Sequence, residues 1–388
     1  MFFDQISTGD IVFLILYGIT GVVPLIAAVY LLFRRGNAIA PGVTPPVLLR
    51  RWTASFFAVL TLAHVWWLLF YVYSGDLQSV SCLVLAMLDC VLLFVTFAGM
   101  LLAMLQDRRR PVQPALVALI PFVVLWGAYM VYSNSLLEQI SAGYLVLLGL
   151  LFTGYMVVAV RQYGRWLNDN YADLENKKVW LSQMVSLVCM LTFILYVFAV
   201  DMVFIWLIHI FELVLVGLLL WRVDTLPSLT SDPSPIGERL REDDGTSGMA
   251  SEFAQGQKQA DEQSTLSRMA VTIDLDQIEQ LLKEHCVDNQ LYLQHDLSLQ
   301  QLAQAVGTNR FYLSQYFSRQ GITYNTYINN LRINHFISRY EEIVVAGQSV
   351  VAQQLAHESG FSSYRTFSRA FTQRMGQSVT AWIDQSAE

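Results

Sequence analysis

Seven separate runs of mostly apolar residues, each at least 18 residues long, occupy the first 222 residues of this 388-residue chain. An α-helix rises about 1.5 Å per residue, so each run can cross the roughly 30 Å hydrocarbon core of a bilayer. Backbone groups inside lipid must pair within the chain, so each run is predicted to be helical. The predicted spans are Ile11–Phe33, Thr53–Tyr73, Ser79–Leu105, Val112–Tyr132, Gly143–Val160, Val179–Val200 and Met202–Trp221. The predicted fold class is all-α, with a seven-transmembrane-helix bundle in residues 1–222.

The composition excludes both an ordinary soluble protein and a disordered one. Hydrophobic residues make up 54% of the chain and charged residues 14%, against about 45–50% and about 25% in soluble domains. The four cysteines form no C-x-x-C pair, so the sequence predicts neither a disulfide scaffold nor a zinc site of that kind.

The basic residues of the bundle predict its orientation. All 12 Lys and Arg residues before Val223 lie in the first, third and fifth loops or directly after the last span. The alternate loops, at 74–78, 133–142 and Asp201, contain none. Because short cytoplasmic loops are rich in Lys and Arg, we expect the N-terminus to lie outside and the C-terminal domain in the cytoplasm. The short outer loops favour a small molecule, a lipid or another membrane protein as the signal.

Four ionisable residues lie inside the predicted spans, at similar depths of roughly 10–15 Å from the outer ends. They are His64, Asp89, His209 and Glu212. Ionisable groups in lipid are costly and default to a functional hypothesis. The alternatives are hydrogen bonds that only fix helix packing, a ligand or proton-sensing pocket, and a metal site. The prediction taken forward is a ligand pocket, with no catalytic residue, metal or cofactor assigned.

Residues 223–270 form a predicted linker of different composition. Residues 225–264 contain three Pro, four Gly and one aromatic residue, Phe253. Such a segment has too little apolar surface to fold by itself, so it is predicted to be a flexible cytoplasmic tether.

The C-terminal part, residues 271–388, contains an internal repeat. Leu302-Ala303-x-x-x-Gly307 recurs 53 residues later as Leu355-Ala356-x-x-x-Gly360. Each copy has apolar spacing typical of two helices joined by a tight glycine turn. Ser298 with Gln301, then Asn309, and then Ser362 or Ser363 are predicted helix N-caps. The predicted helix-turn-helix units are residues 298–320 and 349–375, joined by a long helix from about Tyr324 to Glu342.

Leu299 to Trp382 resembles the AraC-type family of bacterial transcription regulators. The matching segments are LSLQQLAQAVGTNRFYLSQYF and VVAQQLAHESGFSSYRTFSRAF, with LRI before Asn334 in the joining helix. One departure is Val379, where the family usually has proline. The resemblance lies within the C-terminal part and does not extend to the membrane part.

The resemblance implies that the second helix of each unit lies in the major groove of double-stranded DNA. It assigns the base-reading positions to Phe311, Ser314 and Gln315 on the first unit, and to Tyr364, Arg365, Ser368 and Arg369 on the second. Arg310, Arg319 and Arg374 are expected to contact phosphates. Residues 271–388 contain 8 basic and 11 acidic residues, but the segments 308–320 and 361–376 contain no acid. The recognition segments are therefore locally positive, and modest nonspecific affinity is expected.

The prediction that follows is a membrane-tethered transcription regulator without enzymatic activity, with the bundle as sensor or anchor and with a homodimer as one working form. The alternative is a seven-helix membrane enzyme or transporter whose helix-turn-helix tail only regulates it. A transporter is expected to contain broken helices or inverted repeats, and Pro24 and Pro121 are the only proline interruptions in the predicted spans.

Overall fold

The computed structural model describes residues 8–34, 37–73, 79–174, 177–184, 186–188, 202–229 and 275–386. These residues form helices and turns, and their one β-contact is an isolated bridge between Tyr171 and Ser298. The all-α prediction is confirmed for this part of the chain. The chain divides into two compact units. The first unit contains Met1–Trp166 and Asn176–Leu229, and the second contains Leu167–Glu175 and Thr230–Glu388.

Six long apolar helices begin in the first unit. They are α1 (Thr8–Phe33), α2 (Val47–Tyr73), α3 (Val80–Ala103), α4 (Gln113–Tyr132), α5 (Ser135–Asn170) and α6 (Met202–Thr225). All six are long and apolar enough to cross a membrane. The remaining predicted span, Val179–Val200, lies largely outside the described residues, as does Asp201. Six of the seven predicted spans therefore coincide with candidate membrane helices.

The outer faces of these helices expose large aliphatic side chains. Ile26, Val124 and Leu151 are each 63% exposed in the isolated chain. A soluble protein rarely exposes apolar patches of such extent, whereas acyl chains would cover them. The exposed faces are therefore consistent with lipid contact.

Two predicted boundaries of the bundle are wrong. The segment 133–142 was predicted to be a loop, but α5 begins at Ser135 and runs for 36 residues. The linker was predicted to begin at 223, but α6 continues to Thr225 and hydrogen bonds hold the chain as far as Leu229. The Ser228 N–H donates to the Thr44 carbonyl at 2.9 Å, and the Leu229 N–H donates to Gln106 Oε1 at 2.8 Å. Residues 230–270 of the predicted linker lie outside the described residues.

The second unit is a set of short helices around one long helix. In chain order they are α7 (Leu275–Leu282), a π-helical turn (Lys283–Asp288), a 3-10 turn (Leu291–Leu293), α8 (Leu299–Val306), α9 (Arg310–Arg319), α10 (Tyr324–Val345), α11 (Ala352–Glu358), α12 (Tyr364–Met375) and α13 (Val379–Ser386). The N-terminal half of α10 packs into one apolar core through Tyr324 and Ile328. Its C-terminal half packs into a second core through Ile333, Phe336 and Tyr340. The long helix thus joins two small cores.

The predicted caps and turns of the second unit are confirmed in detail. Ser298 and Gln301 form the reciprocal capping box at the start of α8. Asn309 caps α9, and Ser363 rather than Ser362 caps α12. Gly307 ends α8 in the left-handed region, with φ +74°. Local sequence signals therefore fix where these helices begin and turn.

Nine residues that follow the fifth span in sequence belong to the second unit. Ala172 is fully buried in the same apolar core as Tyr324. The Asn325 side-chain amide donates to the carbonyl of Tyr171 at 3.1 Å and to the carbonyl of Ala172 at 2.6 Å. The Ala172 N–H donates to the Leu297 carbonyl at 3.4 Å. The core of the second unit is therefore completed by a stretch of chain far from its other members in sequence.

Candidate nucleic-acid interface and polar membrane cluster

The α9 helix presents one apolar and one polar face. The Asn309 side chain accepts a hydrogen bond from the Tyr312 N–H, which sets the first turn. Leu313, Tyr316 and Phe317 are buried, so the remaining positions point away from the core. Of the residues predicted to contact DNA, Arg310, Phe311, Gln315 and Arg319 are exposed and Ser314 is half-buried. The residues of α9 that are predicted to contact DNA are therefore accessible, except for the half-buried Ser314.

The α12 helix has the same arrangement. Phe367 and Phe371 are fully buried against α10, and the Ser363 hydroxyl caps the first turn through the Thr366 N–H. Tyr364, Arg365 and Arg369 are exposed, and Ser368 is half-buried. Met375, at the end of the helix, is 36% exposed. The base-reading positions implied for α12 therefore form an accessible cationic surface.

Three of the four ionisable residues predicted to share a pocket lie together in the first unit. We call His64, His209 and Glu212 the polar cluster. His64 Nε2 lies 3.6 Å from Glu212 Oε2, and His209 Nδ1 lies 3.7 Å from the same oxygen. The three side chains come from α2 and α6, and those of His64 and Glu212 are each nine-tenths buried.

Asp89, the fourth predicted member, is not part of the polar cluster. Its carboxylate accepts a hydrogen bond from the Trp67 indole N–H, and the residue is buried between α2 and α3. Trp67 therefore gives Oδ2 of this carboxylate a partner of its own, whereas Oδ1 is buried without one among the described residues.

The sequence analysis missed the contribution of α1 to the polar cluster. Thr20 is fully buried, and its Oγ1 lies 3.3 Å from His209 Nδ1. The Tyr17 hydroxyl donates to the His64 carbonyl at 2.8 Å, and its ring lies 4.9 Å from the His64 ring. A Cβ at Gly21 would lie 3.3 Å from His64 Cβ, so α1 approaches α2 closely here. Tyr17 and Thr20 are uncharged and lie on an apolar helix, so a search for ionisable residues in the spans did not select them. Their hydroxyls are nevertheless polar groups that lie beside the two histidines.

Residues 302–385 match the family described as Helix-turn-helix domain. The C-terminal domain is of the AraC type. Comparisons with curated proteins and with solved structures found no match to the chain. The family match lies within the AraC-type domain and does not extend to the membrane helices.

The AraC-type domain contains one buried cation that the sequence analysis quoted without a role. Arg332 is fully buried on α10, and it donates from Nε to the Tyr292 carbonyl and from Nη2 to the Gln294 carbonyl, both at 2.7 Å. Burial lowers the pKa of Arg332 from its ordinary value. Gly360 adopts φ +92°, and a Cβ there would lie 2.8 Å from the Leu293 carbonyl oxygen. Arg332 therefore connects the helices of the AraC-type domain to the turn that precedes α8.

Arg374 has structural contacts within the AraC-type domain. Its guanidinium donates to the Asn330 carbonyl and to Asn334 Oδ1, both on α10. These bonds hold the end of α12 on α10, and the phosphate contact expected from the sequence stays a prediction. Arg374 therefore has a packing role that the sequence pattern did not predict.

Proposed function

We propose that this chain is a membrane-tethered, sequence-specific transcription regulator, with residues 1–222 as sensor or anchor and residues 271–388 as the DNA-binding domain. The observation that carries the proposal is the helix-turn-helix match at 302–385 on a chain with six apolar helices. The exposed faces of α9 and α12 support it, because neither recognition segment contains an acidic residue.

The two helix pairs, α8–α9 and α11–α12, act as two helix-turn-helix units of one reader. In helix-turn-helix proteins the second helix of a unit enters the major groove, and successive grooves on one face lie about 34 Å apart. On α12, Arg365 and Arg369 suit guanine, while on α9 Gln315 suits adenine. Arg310 and Arg319 suit phosphates, which set position rather than sequence.

In this proposal the reader is held at the bacterial inner membrane, with the N-terminus outside and the C-terminal domain in the cytoplasm. The 12-to-none distribution of Lys and Arg between alternate loops supports this orientation. Residues 167–175, which that pattern assigns to the cytoplasm, belong to the same compact unit as the C-terminal domain. Association of two chains through their bundles would bring two DNA readers together, since local concentration governs such binding.

Reporter fusions test the orientation. A reporter enzyme that works only in the periplasm is expected to be active when fused after Gly75 or Asn134, and inactive after Arg109 or Leu229. The reason is that the first two sites follow outward crossings and the last two follow inward crossings. A reporter that works only in the cytoplasm serves as the control and should give the reverse pattern. Activity of the periplasmic reporter after Leu229 would contradict a cytoplasmic DNA reader.

Mapping of the full-length protein on chromosomal DNA tests the function itself. We expect discrete sites for the wild type and loss of those sites for the Arg365→Ala/Arg369→Ala double variant at equal protein level. The matched control is Arg339→Ala, because Arg339 pairs with Glu342 on the exposed side of α10. If the wild type occupies no discrete site, or if the double variant keeps every site, the proposed function is wrong.

A further inference from the structure

The polar cluster contains two buried atoms without a hydrogen-bond partner in the described part of the chain. They are His64 Nε2 and Glu212 Oε1. In lipid, an unpaired buried polar atom is strongly unfavourable, because no water is present to bind it. A packing role alone would be expected to satisfy these atoms, so the arrangement points to a bound species between the side chains.

The Nδ1 contact of His64 determines which nitrogen is available for a ligand. His64 Nδ1 lies 2.8 Å from the Leu60 carbonyl, which can only accept, so Nδ1 carries a hydrogen. In the neutral tautomer this leaves the lone pair on Nε2, the nitrogen nearer to Glu212. Metal-binding histidines are oriented in this way, with the second nitrogen donating to a carbonyl or carboxylate.

The distances within the polar cluster suit ligands of one ion better than direct hydrogen bonds. The separations of 3.6 and 3.7 Å exceed the 2.7–3.2 Å of a hydrogen bond. Two ligands of a tetrahedral Zn²⁺ are about 3.3 Å apart, given metal–ligand distances of about 2.0–2.1 Å. One ligand atom from each of the three residues lies within 4.8 Å of the other two. Binding of one ion would draw these three atoms closer together.

We propose that His64 Nε2, His209 Nδ1 and Glu212 Oε2 bind a divalent first-row transition-metal ion, with Zn²⁺ as the probe. Two imidazoles and one carboxylate select such ions over Mg²⁺ and Ca²⁺, which prefer all-oxygen sites. The sequence analysis assigned no metal because the helices that meet were unknown. With Asp89 held by Trp67, three ligands remain, and three ligands leave one coordination position open, as in exchangeable sites rather than closed structural ones.

The proposed ion would link α2 to α6, and α6 is the helix that precedes the C-terminal domain in the chain. His64 lies in the middle of α2, while His209 and Glu212 occupy one face of α6, three residues apart. The chain leaves the bundle after α6 and leads to the C-terminal domain. The metal ion thus acts as the signal by fixing α6 against α2, a role that rests on the proposed function, whereas the binding site does not.

Metal binding is measured on the full-length protein in lipid nanodiscs, freed of metal and titrated with Co²⁺ and then Zn²⁺. We expect one ion per chain, visible Co²⁺ absorption that Zn²⁺ removes, and a rise in Tm with Zn²⁺. Glu212→Gln and, separately, His209→Gln should weaken affinity at least about 100-fold, since the loss of an outer-shell partner alone costs 10–100-fold. If the wild-type protein does not bind Zn²⁺ stoichiometrically, the proposed site is wrong. This test does not depend on whether any variant folds.

Two controls separate the polar cluster from other groups. Asp89→Asn removes another buried carboxylate of the bundle, and His357→Gln removes a histidine that contacts His295 outside it, with ring centres 4.4 Å apart. Both variants should retain wild-type Zn²⁺ affinity. If Glu212→Gln binds as tightly as wild type while His357→Gln does not, the metal site lies elsewhere and the proposal is wrong.

Expression of a reporter gene controlled by a mapped chromosomal site distinguishes the metal-site proposal from the proposed function. Zn²⁺ should change its expression with the wild type and with Asp89→Asn, but not with Glu212→Gln. If Zn²⁺ binds stoichiometrically but the protein occupies no chromosomal site, the metal site stands and the proposed function is wrong. If DNA is occupied but the reporter ignores Zn²⁺, the function stands and the signalling role is wrong.

Discussion

Arg369→Ala is expected to weaken binding to the specific DNA site by about 1–3 kcal/mol, or roughly 5- to 150-fold in Kd. Arg369 is exposed on α12, one turn after Arg365, where a guanidinium can donate two hydrogen bonds to guanine. The base preference at one position should relax as well. The measurement is fluorescence anisotropy of the full-length protein in nanodiscs, with specific and scrambled duplexes at one salt concentration.

Arg319→Ala is the matched control for this prediction. Arg319 is an exposed arginine in the last turn of α9, where a phosphate contact is expected. Its loss should weaken specific and scrambled duplexes alike and reduce the slope of affinity against salt. If Arg369→Ala weakens binding to the specific and scrambled duplexes equally, Arg369 does not contact a base.

Arg332→Leu is expected to destabilise the second unit by about 3–5 kcal/mol, because hydrogen bonds to charged groups contribute about 1.5–3 kcal/mol each. Two such bonds are lost, and the carbonyls of Tyr292 and Gln294 lose their partners in a buried site. Hydrogen exchange of the α10 amides in the full-length protein measures this loss, since exchange reports the free energy of local opening.

Arg339→Leu provides the comparison on the same helix. Arg339 pairs with Glu342, and their side chains are 47% and 60% exposed. Exposed ion pairs contribute about 0–1 kcal/mol, so this variant should leave α10 exchange nearly unchanged. Similar losses in both variants would mean that burial of Arg332 does not set the stability of the second unit.

Local sequence signals predicted the helices well. The capping residues and the glycine turns depend on neighbours within about four positions, and each of the six described spans depends on one continuous apolar run, so the sequence displays all of them directly. The errors at Ser135 and at residues 223–229 arose because hydropathy marks where lipid contact ends, whereas a helix can continue into water. The length of α5 is the clearest example, since polar residues 161–170 remain helical.

Contacts between distant segments could be predicted only in part. Equal depth grouped His64, His209 and Glu212 correctly but also included Asp89, because depth does not specify which helices are neighbours. Thr20 and Tyr17 carry no charge and gave no signal. Arginine is rarely buried, so sequence reasoning had no basis for giving Arg332 a role inside the fold.

The second unit is built from two separate stretches of chain, and this determines what proteolysis can release. Residues 167–175 supply Ala172 to its core and two carbonyls to Asn325, while the other stretch follows residue 230. A protease that cuts once between 230 and 270 would sever one covalent connection and leave this second attachment in place. Release of a diffusible C-terminal fragment would then also require Ala172 to leave the core of the second unit, so that solvent contacts the site it occupied. A nicked protein should accordingly stay with the membrane fraction until mild denaturant opens that contact.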